Sequence, residues 1–544
     1  GDLDLFVTAY KGPNRLYQNS GGLVFVEVTA VAGLPIANAT TSCAAATDYD
    51  RDGDLDLYVG NYGDPALPTP DTNYMYRNNG DGTFTDVTGL TGTADSTRQT
   101  LAATFFDYNN DGWEDLYVSN DRIDFRNALY QNNGDGTFSD VSASSGTDIT
   151  IDAMNVGIGD YDNNGHLDIY VTNTFAGSVF LKNNGNGTFT DVAPASGTLF
   201  SGHVGWGGTQ FDFDNDLDLD LYVSCSIPFS SLPNGFFIND GSGIFAEPYA
   251  ATGGLQGIDF VRGFSNAVGD FNHDGKYDIA VCNIQPDSLH IWENIDTNSN
   301  HWFKLKLVGT SSNRNAIGAW IEVWIDGQKY LRTTHTHQAF MAQYSHTMII
   351  GTGSHEAIDS LVVRWPYPSA PLPYTKQMIP GCAITMSAVN CFTEGQALPT
   401  SSHMVTSTDN AGPATLRDMI DGACHGDTIM FDASLANDTI TLSGAPLLLD
   451  KDLMIQASGI AGLVIRVADT SATVTVSQGV TVSIAGLEFL DGAVTPPDPM
   501  ITNYGTLVLE NMTLTSQNAL ANGQTLIRSH GMLSQKGVIQ VLKQ

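Results

Sequence analysis

Five short stretches of the chain carry carboxylates at one repeated spacing. They read "DYDRDGDLD" from 48, "DYNNDGWED" from 107, "DYDNNGHLD" from 160, "DFDNDLDLD" from 212 and "DFNHDGKYD" from 270. In D-x-D-x-D-G-x-x-D, oxygens at positions one, three, five and nine converge when the chain turns sharply at position six. Hard oxygens at that density suit Ca²⁺, which takes about 6 to 8 of them at roughly 2.3 to 2.6 Å, and suit Zn²⁺ or Cu²⁺ poorly. The first loop offers Asp48, Asp50, Asp52 and Asp56, with the carbonyl of Asp54 at position seven and Gly53 at the turn. The same roles fall on Asp107, Asn109, Asp111, Trp113 and Asp115, then on Asp160, Asp162, Asn164, His166 and Asp168. The last two sets are Asp212, Asp214, Asp216, Asp218 and Asp220, and Asp270, Asn272, Asp274, Lys276 and Asp278. Asn keeps the oxygen and gives up the charge.

In the fourth loop Leu217 stands where the others have Gly. A left-handed backbone there costs about 1 to 2 kcal/mol, so that loop is expected to be distorted or weak. Asp and Asn favour turns on their own account, but turn preference does not require five copies at one internal spacing. Sensor loops of the EF-hand kind are longer, end in Glu and lie between helices. These loops share neither feature, which points to structural staples rather than switches.

Lys and Arg total 23 against 59 Asp and Glu, a formal charge of −36. That balance argues against nucleic acid or an anionic membrane surface as partner and favours cations. No stretch of about 18 apolar residues occurs, so no membrane-spanning helix is expected. Among the six cysteines, Cys43, Cys225 and Cys282 fall in strand-like segments and read as buried free thiols. Cys382 and Cys391, with Cys424 as a further candidate, could pair in an oxidising compartment. Spacing does not assign the connectivity.

The acidic loops recur at intervals of 59, 53, 52 and 58 residues, and the opening "GDLDLFV" matches "GDLDLYV" at 53–59, so the chain begins within a sixth copy. Each copy runs from an apolar segment through the acidic loop to "LDLYVGN", a second apolar segment, an "NNGDG" turn and "TFTDV". Gly and Asn supply the positive φ angles of tight hairpins. Four short strands in roughly 50 residues, apolar on both faces, fit the blades of a β-propeller. The repeats resemble the FG-GAP, or VCBS, type found in integrin α chains and bacterial surface proteins. The resemblance covers residues 1–296 and implies a calcium-binding propeller of six or seven blades.

After the repeats, "SNRNAIGAWIEV" at 312–323 and "VVRWP" at 362–366 resemble the small β domain that follows such propellers in cartilage acidic protein and its bacterial relatives. This implies a sandwich-like domain over 299–390 and brings no catalytic residues with it. A polar linker is expected at 393–408. Beyond it, "GPATLRDMIDGACHGDTIMFD" and a series of short β-branched runs resemble secreted right-handed parallel β-helices, over 409–544. The fold class is therefore all-β.

His335 and His337 alternate in "RTTHTHQAF" and read as a solvated polar face. Lys451 lies between two Asp residues and reads as a solvated turn, although a lyase would use such a base. The expectation is a non-enzymatic, calcium-stabilised extracellular or cell-surface scaffold or adhesion protein. A carbohydrate-active enzyme, a polysaccharide lyase or glycosidase, is the alternative. Unpaired strand edges at both ends suggest self-association into filaments. A glycan or a cell-surface protein is the further partner class. Asn38, Asn186, Asn437 and Asn511 begin sequons that suit a glycoprotein.

Overall fold

The computed structural model describes all residues except 1–2, 36–38, 64–71, 97, 227–232, 248–261, 337–339, 368–373, 397–401, 425, 458, 469–472, 492–498, 517–525 and 544. Asn38 and His337 therefore lie outside the described residues. The chain forms two compact units, residues 1–396 and 397–544.

The first unit opens with six antiparallel sheets, one per sequence repeat. The third is representative: Gln99–Phe106, Asp115–Asp121, Ala128–Asn132 and Phe138–Asp140 pair in sequence order. Tyr117, Val118 and Leu116 are buried on both sides of its second strand, as a blade between two neighbours requires. Consecutive blades share apolar layers. Tyr58 and Met75 of the second blade pack with Phe105 and Leu116 of the third, and Tyr170 and Phe180 of the fourth with Leu221 and Phe237 of the fifth. Each acidic loop is the hairpin between a blade's first and second strands, so the repeat spacing places all five loops at equivalent positions.

Among the described residues, 301–393 build two sheets. One pairs Thr347–Gly353, His301–Val308 and Val389–Thr393; the other orders Gln328–Thr333, Trp320–Ile325, Ser360–Trp365 and Thr375–Pro380. Their buried faces carry Phe303, Leu305, Ile321, Val323 and Trp365. Glu394 ties the loop at 310–312 to this domain by accepting from the N–H groups of Thr310, Ser311 and Ser312 at 2.8 to 2.9 Å. Those donors hold its carboxyl below the usual range against the opposing effect of burial.

The sandwich rests on the acidic-loop edge of the blades. Arg332 Nη2 donates to Leu217 O and Gly353 N to Asn215 O, both at 2.8 Å. Beyond Thr333 the chain leaves the sandwich and reaches the blades' first strands. Thr336 Oγ1 donates to Ala46 O at 2.6 Å, and Ser265 Oγ donates to Phe340 O at 2.6 Å. Phe340, 1% exposed, packs with Leu101, Met154, Val204, Trp206 and Phe264, which come from four successive blades.

The second unit is a stack of parallel strands. Its larger sheet includes Asp427–Phe431, Leu453–Gln456, Thr481–Ala485 and Thr506–Ser516 as parallel neighbours; the other orders Leu447–Leu449, Val474–Val476, Ile501–Asn503 and Ile527–Ser529. Alternate residues point inward, so Ile429, Ile455, Ile484 and Leu509 form one buried ladder. This is the stacked-coil core of a parallel β-helix. Ser402–Val405 pairs with Asp427–Phe431, so a strand lies within the stretch 393–408. A helix at Leu416–Asp421 precedes the coils, with Thr415 as N-cap accepting from Asp418 N.

Candidate metal centre

Each acidic loop is held by the same backbone hydrogen bonds. The position-six N–H donates to the first aspartate: Gly53 to Asp48, Gly112 to Asp107, Gly165 to Asp160, Leu217 to Asp212 and Gly275 to Asp270, at 2.7 to 3.1 Å. The position-seven N–H of Asp54, Trp113, His166, Asp218 and Lys276 donates to the side chain at position five, namely Asp52, Asp111, Asn164, Asp216 and Asp274. The ninth-position carboxylate accepts twice. Asp168 takes one bond from Tyr161 N and one from Asn183 N, and Asp56, Asp115, Asp220 and Asp278 repeat the pattern. Positions four and six adopt positive φ; at position four these are Arg51, Asn110, Asn163, Asn215 and His273.

Three loops bring three carboxylates together. Ligand oxygens of Asp48, Asp50 and Asp56 lie within 4.8 Å of one another, as do those of Asp160, Asp162 and Asp168, and of Asp212, Asp214 and Asp220. In the loops at 107 and 270 the third position is Asn, and its amide turns onto the fifth position: Asn109 Nδ2 donates to Asp111 Oδ2 at 2.7 Å, and Asn272 Nδ2 to Asp274 Oδ2 at 3.2 Å.

Burial pushes these carboxyls upward. Asp48 is raised to about 7, Asp56 to about 9, Asp160 to about 6, Asp212 to about 8 and Asp214 to about 7, with neighbouring aspartates adding to each shift. Asp168 and Asp220 rise well above the carboxylate range, and Asp107 reaches about 7. Ionised together, the groups need a counter-charge. Asp48 Oδ1, Asp50 Oδ1, Asp162 Oδ1 and Asp214 Oδ1 are buried without a hydrogen-bond partner. A buried orphan oxygen is costly unless something binds it, and an all-oxygen donor set fits a hard cation.

Leu217 takes φ 84°, yet its N–H keeps the shared bond and the fourth loop gathers its carboxylates like the first and third. The expected distortion is confined to one dihedral. Leu217 is 3% exposed, and burying a leucine is worth about 1.5 to 3 kcal/mol, enough to offset the left-handed cost.

An asparagine at or just beyond the end of the third strand links neighbouring blades, a role that its local sequence does not mark. Asn132 Nδ2 donates to Tyr49 O at 2.9 Å, and Asn183, Asn239 and Asn294 reach Tyr108 O, Tyr161 O and Phe213 O at 2.8 Å. Each bond joins one blade to the acidic loop of the blade before it. The available signal is the first Asn of the "NNGDG"-type turns at 132, 183 and 239, which a turn preference alone also explains.

His335 corrects the expectation of a solvated face. It lines a partly open cavity of about 110 Å³, with Gln210, Tyr344 and His346. Burial lowers its pKa to about 4, so the ring is neutral. Cys282 is exposed rather than buried, Cys391 is a free thiol, and Cys382 and Cys424 are each engaged in a disulfide. Lys451 is not a free base, since its ammonium donates to Ile420 O and Asp421 O.

Comparison with known proteins agrees with this architecture. The FG-GAP-like repeat family matches residues 1–59, 62–118 and 107–171, and the family described as ASPIC and UnbV matches 309–371. The chain thus carries FG-GAP repeats and an ASPIC and UnbV domain, followed by a β-solenoid. Cartilage acidic protein 1 of Xenopus tropicalis is 26% identical over 268 residues, 47% of this chain and 40% of the relative. The Homo sapiens protein of that name is 29% identical over 161 residues, 28% of this chain and 24% of its own length. The chain spans well under half of either relative. Solved structures that align with the chain include the exo-β-1,3-galactanase of Phanerochaete chrysosporium, at 10% identity and TM-score 0.28 over 68% of this chain and 89% of that one. The Dos1 propeller aligns at 9% identity and TM-score 0.28, over 62% and 83%.

Proposed function

We propose that the protein is a non-enzymatic extracellular scaffold whose propeller is stapled by calcium at the loops. One observation carries the reading: three triads of buried aspartates converge and leave four carboxylate oxygens without partners. Asp48, Asp50 and Asp56 hold one ion, Asp160, Asp162 and Asp168 a second, and Asp212, Asp214 and Asp220 a third. Asp52, Asn164 and Asp216 at position five and the carbonyls of Asp54, His166 and Asp218 complete the oxygen sets. An ion bound there offsets the mutual repulsion of the gathered carboxylates and gives the orphan oxygens a partner.

Extracellular placement is supported by the disulfide-bonded Cys382 and Cys424, by the net charge of −36 and by the similarity to proteins named for cartilage. No helix among the described residues is long and apolar enough to cross a membrane. Adhesion to a glycan or cell-surface protein, glycosylation at the exposed Asn186, and assembly into surface fibres belong to the same reading. Lys451, the base a lyase would use, is occupied with helix carbonyls.

The test is thermal unfolding with excess EGTA and with millimolar Ca²⁺. A ligand that binds only the native state stabilises it by RT ln(1 + [L]/Kd) at each site, about 4 kcal/mol at a thousandfold excess over Kd. Three such sites move the melting temperature of the first unit by well over ten degrees. A transition that EGTA leaves in place overturns the staple.

A further inference from the structure

We infer that Lys304 is the resident cation of the sixth blade's loop, its ammonium standing where a divalent ion stands in the loops at 48, 160 and 212. The inference rests on the calcium reading of those three loops. Lys304 lies in the strand His301–Val308 of the small sandwich, and its Nζ is 2.5 Å from Asp270 Oδ2. Both side chains are buried, at 9% and 5% exposure. The neighbouring Trp302 seals the position: a Cβ on Gly275, the loop's turn residue, would meet the indole at 1.8 Å, and the ammonium sits 5.6 Å from the centre of the same ring.

The third position of this loop carries no charge. Asn272 has turned its amide nitrogen onto Asp274 Oδ2 and also donates to Glu293 Oε1 at 3.0 Å. Asn272, at the third position, is exposed, whereas Asp50, Asp162 and Asp214 at that position are half-buried and each keeps a buried oxygen without a partner. An ammonium supplies one positive charge and three donors, which matches acceptors already partly satisfied. A buried ion pair of this kind persists only when both members stay, because removing one strands the other.

Lys182 shows the contrast. Its Nζ also lies 2.5 Å from a loop carboxylate, Asp162 Oδ2, but its side chain is 37% exposed and Asp162 Oδ1 remains without a partner. That contact sits at the rim and leaves the ion's place open. Lys304 closes it.

The consequence is that five similar loops are not five equivalent calcium sites, and the sixth blade is joined to the sandwich by lysine rather than by metal. Equilibrium dialysis of the full chain against Ca²⁺, with bound calcium counted by atomic emission, tests this. Asp212→Asn is expected to lose one equivalent and Asp270→Asn none. Lys304→Met is expected to gain one equivalent at millimolar Ca²⁺ and to melt lower than the wild type in EGTA. Wild-type protein that binds no calcium overturns the calcium reading itself. Calcium that is bound by the wild type and falls by one equivalent in Asp270→Asn overturns only the role of Lys304, as does a folded Lys304→Met protein that gains none. Should Lys304→Met fail to fold, the Asp270→Asn count still decides.

Discussion

The fifth and sixth blades present the same hairpin and solve its electrostatics in opposite ways. In both, position six donates to the first aspartate, position two donates to the ninth, and an asparagine at or just beyond the end of the third strand donates to the ninth again. The backbone scaffold is therefore shared. What differs is the third position, Asp214 in one and Asn272 in the other, and the arrival of Lys304 from another domain. The fifth blade keeps a carboxylate triad with an orphan oxygen, and the sixth sets the Lys304 ammonium against Asp270. A loop motif fixes where oxygens point. The charge at one position and a long-range neighbour fix what they hold.

The largest effect that could break this contrast is a pH dependence. Asp48, Asp56, Asp160, Asp212 and Asp214 have folded pKa values of about 6 to 9, raised first by burial, against about 4 in the unfolded chain. A carboxyl raised in the folded state contributes stability that is complete below pH 4 and is lost as pH climbs through the folded value. Each proton retained only in the folded state costs up to about 1.4 kcal/mol per pH unit over that window. In EGTA, unfolding by urea should therefore show lower stability at pH 8 than at pH 5. Calcium should reverse the slope by favouring the ionised form. A chelated protein equally stable at both pH values would remove the electrostatic case for the triads, and with it the distinction between the two blades.

The five loops were legible because their ligands are close in sequence, and local spacing is what a sequence displays. The four-strand repeat and the stacked coils were legible for the same reason, as periodic patterns. Features that depend on distant partners were not. Phe340 sits in "HQAFMAQ", which carries no mark of a residue that packs against four blades. Lys304 in "HWFKLKLV" alternates like any strand residue, and nothing local tells it from Lys306. The inter-blade asparagines lie between these cases. Their recurrence was visible, but a turn former explained it, and only the fold shows that the amide spans to the preceding blade.

Asn183→Ala sharpens the comparison from the side of the scaffold. Its Nδ2 donates to Tyr108 O and Leu167 O, and its Oδ1 accepts from Gly185 N. The truncation leaves buried carbonyls without donors, at about 1 to 3 kcal/mol each before relaxation. A loss of about 2 to 3 kcal/mol by urea unfolding is expected, equal with and without calcium, because the amide joins blades and touches no triad oxygen. A loss that appears only in calcium would mean that the asparagine shapes the ion site.

The smallest expected change is Leu217→Gly, which gives the fourth loop the turn residue of the other four. Relief of the left-handed strain at φ 84° returns about 1 to 2 kcal/mol. Against it stands the loss of a side chain that is 3% exposed, and emptying a core leucine position costs about 2 to 5 kcal/mol. The balance is a net destabilisation of about 1 to 3 kcal/mol, with calcium stoichiometry unchanged because the position-six N–H keeps its bond to Asp212. The sign separates two accounts of this loop. If burial of Leu217 holds it in place, glycine weakens the fold; if the leucine is merely tolerated, glycine stabilises it, and urea unfolding of the calcium-loaded protein distinguishes the two.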